Sequence, residues 1–174
     1  MTIVETVLRG LVDMLAPPRC AACEEELEPG EEGFCVVCEP LLEPLAGAEA
    51  THAVLRFGGP IASAMRRFKY GGRAELARPL AVVMAERARA HCAGLDAIVP
   101  VPLHGARLRA RGFDQASLLA GELAKIVGVP RRLDLLTRVR ATPTQAALDR
   151  AARLVNVEGA FVASARARDL RVLV

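Results

Sequence analysis

The chain has 174 residues, of which 52% are hydrophobic and 25% charged, and its formal net charge is +3. This length allows one ordinary α/β domain with a small satellite, and the apolar content excludes a disordered chain. The net charge is too small to indicate a nucleic-acid partner by itself, and one Tyr, five Phe and no Trp offer few rings on which bases could stack.

The first predicted element is a short amphipathic helix over residues 2–15, where apolar residues recur at helical spacing. Its charged residues Glu5, Arg9 and Asp13 exclude the uncharged core of a signal peptide and a membrane span. We therefore expect a cytoplasmic protein without membrane insertion, in which cysteines stay reduced.

Four cysteines follow this helix as two C-x2-C pairs, Cys20, Cys23, Cys35 and Cys38. The spacing lets two tight turns present four thiolates to one tetrahedral zinc ion, and a shell of four thiolates leaves no position for a reacting water. We therefore predict a structural zinc site, because the segment is too small to fold around a hydrophobic core. Four reduced, buried cysteines and an iron–sulfur cluster are the alternatives. The fifth cysteine, Cys92, is predicted to be an ordinary packed residue.

The remaining chain alternates predicted strands and helices, which is typical of a parallel sheet covered by helices. Short apolar runs predict strands over residues 53–57, 95–101, 133–139 and 169–174. Helical spacing between them predicts helices with apolar positions at 61–68, 76–88 and 118–126, and a last helix that ends at Leu154. We expect the zinc module and the first helix to occupy residues 1–45 and the α/β domain residues 51–174.

A glycine- and arginine-rich loop is predicted after the strand 95–101. Ligands of open α/β sheets bind at the carboxyl ends of strands, where backbone amides and helix N-termini meet anions. Three arginines at alternating positions could neutralise a pyrophosphate or a nucleic-acid backbone, although a solvated basic turn is the alternative. The candidate phosphate-binding residues are Pro102, Leu103, His104, Gly105, Arg107, Arg109 and Arg111.

The run PVPLHGARLRARGFDQASLLAGELA resembles the signature of the ComF family. The resemblance continues upstream through the cysteine pairs and residues 68–72, which match F-K-Y-x-G, and downstream through a pattern R-x-T-x-x-Q that begins at Arg140. Asp114 stands where many members have Asn. The family's domain is similar to type I phosphoribosyltransferases, so the resemblance implies a phosphoribosyltransferase-like α/β domain with a parallel sheet, preceded by a small four-cysteine zinc-ribbon module.

The resemblance also implies a role in competence and DNA uptake and the binding of phosphoribosyl diphosphate, a related ribose phosphate or a nucleic-acid phosphate. Residues 102–107 would take the place of the pyrophosphate-binding loop, and Thr142 and Gln145 would belong to a mobile loop that closes over the substrate. In a transfer reaction, Arg107 and Arg111 would stabilise the departing pyrophosphate, whose oxygens Mg²⁺ would bridge.

One part of the family pattern has no counterpart between Met1 and Val174. In the family, the strand equivalent to residues 170–174 runs into a loop with paired Asp, Thr and Gly that grips the ribose 5-phosphate. The sequence contains no such pair and loop, so we expect a chain truncated before it that is inactive as a phosphoribosyltransferase.

Two non-catalytic functions remain open. The first is a zinc-containing module that binds single-stranded DNA through Arg66, Arg67, Lys69 and the three arginines of the loop, with an affinity that falls steeply with salt. The second is an interaction protein whose zinc module and N-terminal helix dock onto a competence helicase or another DNA-uptake protein.

Overall fold

The computed structural model describes residues 17–45, 55–143, 145 and 148–174. The predicted helix over 2–15 and the start of the predicted strand 53–57 lie outside these residues. The chain divides into two compact units, Met1–Val83 and Met84–Val174. The expected domain bounds, 1–45 and 51–174, stay a prediction.

The described part of the first unit begins with the cysteine pairs and continues into helix α1, Gly59–Tyr70. Pro60 stands in the first turn of α1, where its missing N–H costs nothing, and the amide of Gly71 closes the helix on the carbonyl of Arg67. In the described part of the strand predicted over 53–57, Leu55 forms an isolated antiparallel bridge with Pro44.

The apolar side of α1 is part of the core of the first unit. Ala64 and Phe68 are fully buried there, four residues apart on one face of the helix. Short 3-10 turns at Glu39–Leu41 and Ala74–Leu76 contact α1, and Leu76 is also buried. Helix α2, Ala77–His91, follows directly and confirms the helix predicted over 76–88.

A small parallel sheet lies in the second unit. Strand β1, Ala97–Ile98, pairs in parallel with β4, Val172–Leu173, and residues 130–132 add a parallel bridge on the other side of β1. Ala97, Val99 and Leu135 are buried together under these strands. The strands predicted over 95–101 and 169–174 are therefore confirmed in place but are shorter than expected.

The strand predicted over 133–139 was expected in the parallel sheet, and this was wrong. Strand β2, Leu136–Arg138, instead pairs antiparallel with β3, Phe161–Ala163, which the sequence did not indicate. The reason is local: residues 130–132 run beside β1, and a turn at 133–135, where Asp134 binds Arg132, separates them from β2.

The other helices of the second unit are α3, Gly105–Arg111, α4, Gln115–Val127, and α5, Arg150–Val157. The predicted caps of α4 are confirmed: Asp114 accepts the amide N–H of Ser117, and Gly128 ends the helix in the left-handed conformation. The predicted loop 102–112 is instead largely α3. None of the helices in the described ranges is long and apolar enough to cross a membrane.

Candidate functional site

The four paired cysteines meet at one point. The Sγ atoms of Cys20, Cys23, Cys35 and Cys38 all lie within 4.8 Å of one another, and Cys23 Sγ is 3.7 Å from Cys35 Sγ. Four sulfurs bound to one tetrahedral zinc at about 2.3 Å would be separated by about 3.8 Å. The cluster could therefore hold a metal ion if the more widely separated sulfur atoms moved closer together by about 1 Å.

Tight backbone turns produce this arrangement. In the first pair, the amide of Glu24 bonds to the carbonyl of Cys20, and Glu24 adopts a positive φ of 67°. In the second pair, the amides of Cys38 and Glu39 both bond to the carbonyl of Cys35. Each C-x2-C pair thus brings its two thiols to one side of a turn.

Hydrogen bonds also affect the protonation of the thiols. Burial by itself would raise the pKa of Cys20, but backbone hydrogen bonds from Cys23, Cys35 and Ala22 lower the pKa to about 6. Burial and the neighbouring thiols raise the pKa of Cys38. A metal ligand must be a thiolate, so ion binding would release a proton from Cys38.

The first cysteine turn is fastened to the end of α1. The guanidinium of Arg67 donates to the carbonyls of Ala21 and Ala22, at 3.4 and 2.5 Å, and pairs with Glu24 at 3.3 Å. Arg73 binds the other carboxylate oxygen of Glu24. Arg67, a predicted DNA contact, is thus already engaged in holding the cysteine turn.

The predicted phosphate-binding segment follows β1 and forms α3. Pro102, Leu103 and His104 precede the helix, and His104 caps it by accepting the amide N–H of Ala106 at 3.4 Å. Gly105 begins the helix. Because the segment is helical, Arg107 and Arg111 lie on one face and Arg109 does not, which corrects the alternating arrangement expected from a loop.

Arg107 contacts the second predicted group of site residues. Its guanidinium donates to the carbonyl of Thr142 at 2.8 Å, and the hydroxyl of Thr142 receives a hydrogen bond of 2.5 Å from Arg138. Thr142 is buried, with 8% of its surface exposed. The carbonyl of Gln145 accepts from Arg153 at 3.2 Å. The structure therefore brings Arg107 and Thr142 together, whereas Arg109 is exposed and has no such contact with Thr142.

No sequence pattern indicated a role for Arg138, and Arg140 was predicted only as the first residue of the family pattern R-x-T-x-x-Q. Arg140 donates to the carbonyls of Asn156 and Glu158. Burial lowers the pKa of Arg138, and the charges of Arg107 and Arg140 lower it further. The available signal was the concentration of arginines at the end of β2, but spacing could not show that they approach α3.

Gln115 is a second buried polar residue beside this segment. Arg111 donates to its Oε1 at 2.6 Å, and because a guanidinium only donates, the contacted atom must be the oxygen. The Nε2 atom of Gln115 is then a buried donor without an acceptor among the described residues. It can donate to a ligand or to a water molecule.

The described structure is thus that of a mixed helix and strand protein with a small parallel sheet and a four-cysteine cluster suited to a metal ion. No family model and no solved structure matches the chain. Competence protein F of Haemophilus influenzae is 30% identical over 151 residues, which cover 83% of this chain and 63% of that protein.

Two further relatives are each named DNA utilization protein YhgH. The Salmonella typhimurium protein is 31% identical over 182 aligned positions, and the Escherichia coli K12 protein is 29% identical over 178; both alignments cover 85% of this chain and 78% of the relative. The chain belongs to the ComF family. It spans less than two thirds of the Haemophilus protein's length.

Proposed function

We propose that this chain is a zinc-containing protein of DNA uptake, whose phosphoribosyltransferase-like second unit binds the phosphate groups of a ribose phosphate or a nucleic acid. The single observation that carries the phosphate-binding part is the position of Arg107 beside Thr142, just after the parallel strand β1. The relatives' names, competence protein F and DNA utilization protein, support the biological role.

Zinc is the proposed metal because the ligand set is four thiolates. Soft thiolate ligands in a tetrahedral arrangement suit zinc, and a closed shell of four leaves no open position for a substrate. The ion would therefore stabilise the fold of the cysteine turns and would take no part in a reaction.

Phosphate binding is favoured at the C-terminal side of β1. In parallel α/β sheets this edge is where loops and following helices collect ligands. Arg107 and Arg111 present two guanidinium groups on one face of α3, and such groups bind phosphate oxygens through paired hydrogen bonds. Phosphoribosyl diphosphate, in the presence of Mg²⁺, and single-stranded DNA are the two ligands to compare.

The test is direct binding by the zinc-loaded full chain. Titration with phosphoribosyl diphosphate and Mg²⁺ and with a labelled single-stranded oligonucleotide, at several salt concentrations, measures both affinities. If DNA is the ligand, Arg107→Gln should weaken binding several-fold and reduce the log–log salt slope by about 0.7, whereas the exposed Arg168→Gln should change neither value. If the chain binds neither phosphoribosyl diphosphate nor single-stranded DNA, the proposal is contradicted.

A second candidate function, docking of a helicase or another DNA-uptake protein, is favoured by the exposed tip of the second cysteine turn. Val36 and Val37 are 71% and 70% exposed. The turn between the two cysteines does not require apolar side chains at these positions, and exposed apolar side chains that lie together can mark a protein-binding surface. A pull-down with the purified candidate partner should lose its signal when both valines become Ser. A signal that survives this double substitution would remove the docking function from this turn.

A further inference from the structure

A groove in the first unit lies between the cysteine-rich segment and the start of α2. Its volume is about 1120 Å³, and its described lining comes from residues 17–19 and 27–33 and from six positions between 73 and 82. All of these positions belong to the unit Met1–Val83. The volume exceeds the roughly 300–1,000 Å³ of most small-molecule pockets, so the groove suits a segment of a polypeptide better than a metabolite.

Apolar side chains form one part of this lining. Leu27 is half-buried, and Val82 on α2 is 38% exposed although it is apolar. Four prolines add a rigid apolar surface, because the proline ring fixes the backbone angle φ: Pro17, Pro18, Pro29 and Pro79. Covering such a surface with other apolar groups removes it from water and is favourable. The lining therefore offers a place for the apolar side chains of a partner.

The wall that faces α2 is held in place before any partner arrives. The carboxylate of Glu31 accepts the backbone amides of Glu28 and Val36, at 2.7 and 2.6 Å. Gly33 lies so close to α2 that a Cβ atom at this position would be 2.6 Å from the Cβ of Pro79. A wall that is already ordered reduces the conformational entropy lost when a partner binds.

The charge at the groove is negative. The segment 17–45 contains eight Glu and one Arg, although the whole chain has a net charge of +3. Glu28 and Glu32 line the groove and are exposed, and no Lys or Arg among the described residues contacts either carboxylate. Of the three arginines in the described lining, Arg19 and Arg73 are already paired with carboxylates. This acidic groove therefore attracts a basic partner and repels the phosphates of a nucleic acid.

We propose that the acidic groove binds a linear segment of another protein in which Lys or Arg residues flank apolar side chains. The apolar side chains would pack on Leu27, Val82 and the prolines, and the basic side chains would pair with Glu28 and Glu32. The described lining includes neither the arginines of α3 nor the exposed valines of the second cysteine turn. The site therefore goes beyond both functions proposed above and does not depend on either.

The experiment selects ligands from a random peptide library displayed on phage, with the full zinc-loaded chain as the bait. Recovered peptides should carry Lys or Arg next to apolar residues. The dissociation constant of a labelled recovered peptide should rise about threefold to tenfold in the double variant Glu28→Gln, Glu32→Gln, and its dependence on salt should weaken. The matched control, Glu25→Gln with Glu39→Gln, removes the same charge from exposed positions outside the described lining and should leave the dissociation constant nearly unchanged.

A substitution on α2 tests the apolar part of the groove. Val82→Ser should weaken peptide binding several-fold, because it removes apolar surface that the peptide would cover, whereas Val37→Ser in the second cysteine turn should leave binding unchanged. Thermal unfolding shows whether each variant is folded. If Val82→Ser does not fold, the double variant at Glu28 and Glu32 still decides the question, since it changes only exposed residues.

Four outcomes would overturn the proposed partner. The first is that the full chain enriches no peptide, and the second is that the dissociation constant is the same in the wild type and in the groove variants. Peptide binding only after removal of residues 1–16 would assign the groove to the chain's own N-terminal segment. Self-association of the chain that is lost in the double variant at Glu28 and Glu32 would assign it to a second copy. Each of these results leaves phosphate binding, which is measured separately on Arg107→Gln, in place.

Discussion

The two units use arginine in opposite ways. In the first unit, Arg67 and Arg73 both bind the carboxylate of Glu24 and fasten a cysteine turn to α1. In the second unit, Arg107 and Arg138 converge on Thr142, whose carbonyl and hydroxyl are neutral. Arginine therefore pairs with a carboxylate in the first unit, whereas in the described part of the second unit neither Arg107 nor Arg138 has a carboxylate partner.

Whether an arginine binds a carboxylate or a neutral oxygen distinguishes structural arginines from candidate ligand-binding arginines better than the exposed fraction of the side chain does. A guanidinium paired with a carboxylate has already satisfied its charge, so an anionic ligand must displace that carboxylate before it binds. A guanidinium bonded only to neutral oxygens offers its charge to the ligand. Counting basic residues along the sequence treats Arg67 and Arg107 alike, but the structure gives them different partners.

Loss of the proposed zinc ion is expected to have the largest effect, because the ion would hold together the cysteine turn that carries Glu24. Cys38→Ser should lower zinc affinity at least about a hundredfold, since one of four thiolates is lost. Metal content measured after dialysis, with Cys92→Ala as the control outside the cluster, checks this expectation. A serine variant that retains stoichiometric zinc would contradict the four-thiolate site.

A smaller effect is expected from breaking the arginine contacts of the cysteine turn. Arg67→Met should lower the free energy of unfolding by roughly 1–2 kcal/mol, because Ala21, Ala22 and Glu24 lose a charged partner that is only partly screened by water. Urea unfolding measures the difference.

The matched control for that substitution is Arg56→Met. Arg56 pairs with Glu43 at 3.2 Å, but both side chains are largely exposed, so its loss should change stability by less than about 0.5 kcal/mol. If both variants lose the same free energy of unfolding, the contacts of Arg67 stabilise the fold no more than an ordinary surface ion pair does.

The smallest change in stability among the predicted effects is expected from substitution of Asp114. This residue lies close in sequence to the arginines of α3, but its carboxylate binds backbone amides and no arginine among the contacts described. Its two oxygens accept the amides of Leu103 and Ser117, at 3.0 and 3.1 Å. Asp114→Asn keeps one acceptor and loses the other, so it should cost about 1 kcal/mol in thermal or urea unfolding. Asp149→Asn, where one oxygen caps α5, should cost less. The reverse order would contradict the assigned role of Asp114.

Local patterns predicted the parts of the structure that depend on local chemistry. The cysteine spacing indicated a four-thiolate cluster, and Asp114 and Gly128 indicated the ends of α4 correctly. A helix cap and a C-x2-C pair each involve residues only two to four positions apart. The sequence pattern alone is therefore enough to predict them.

The parts that failed depend on partners distant in sequence. Strand β2 pairs with β3 instead of joining the parallel sheet, and nothing near Leu136 in the sequence specifies Ala163 as its neighbour. The contact of Arg138 with Thr142 depends on that pairing as well as on the turn that follows β2. The helical form of Gly105–Arg111 was missed because its glycine and arginines also suit a loop.

The most direct test of the contrast between Arg107, bonded to a neutral carbonyl, and Arg67, paired with a carboxylate, is the dissociation constant for phosphoribosyl diphosphate with Mg²⁺ in Arg107→Gln, Arg67→Gln and the wild type. We expect affinity to fall at least about tenfold in Arg107→Gln and to stay unchanged in Arg67→Gln, with thermal unfolding as the check that both variants are folded. Equal dissociation constants in the two variants would contradict the assignment of Arg107 to phosphate binding and of Arg67 to the support of the cysteine turn.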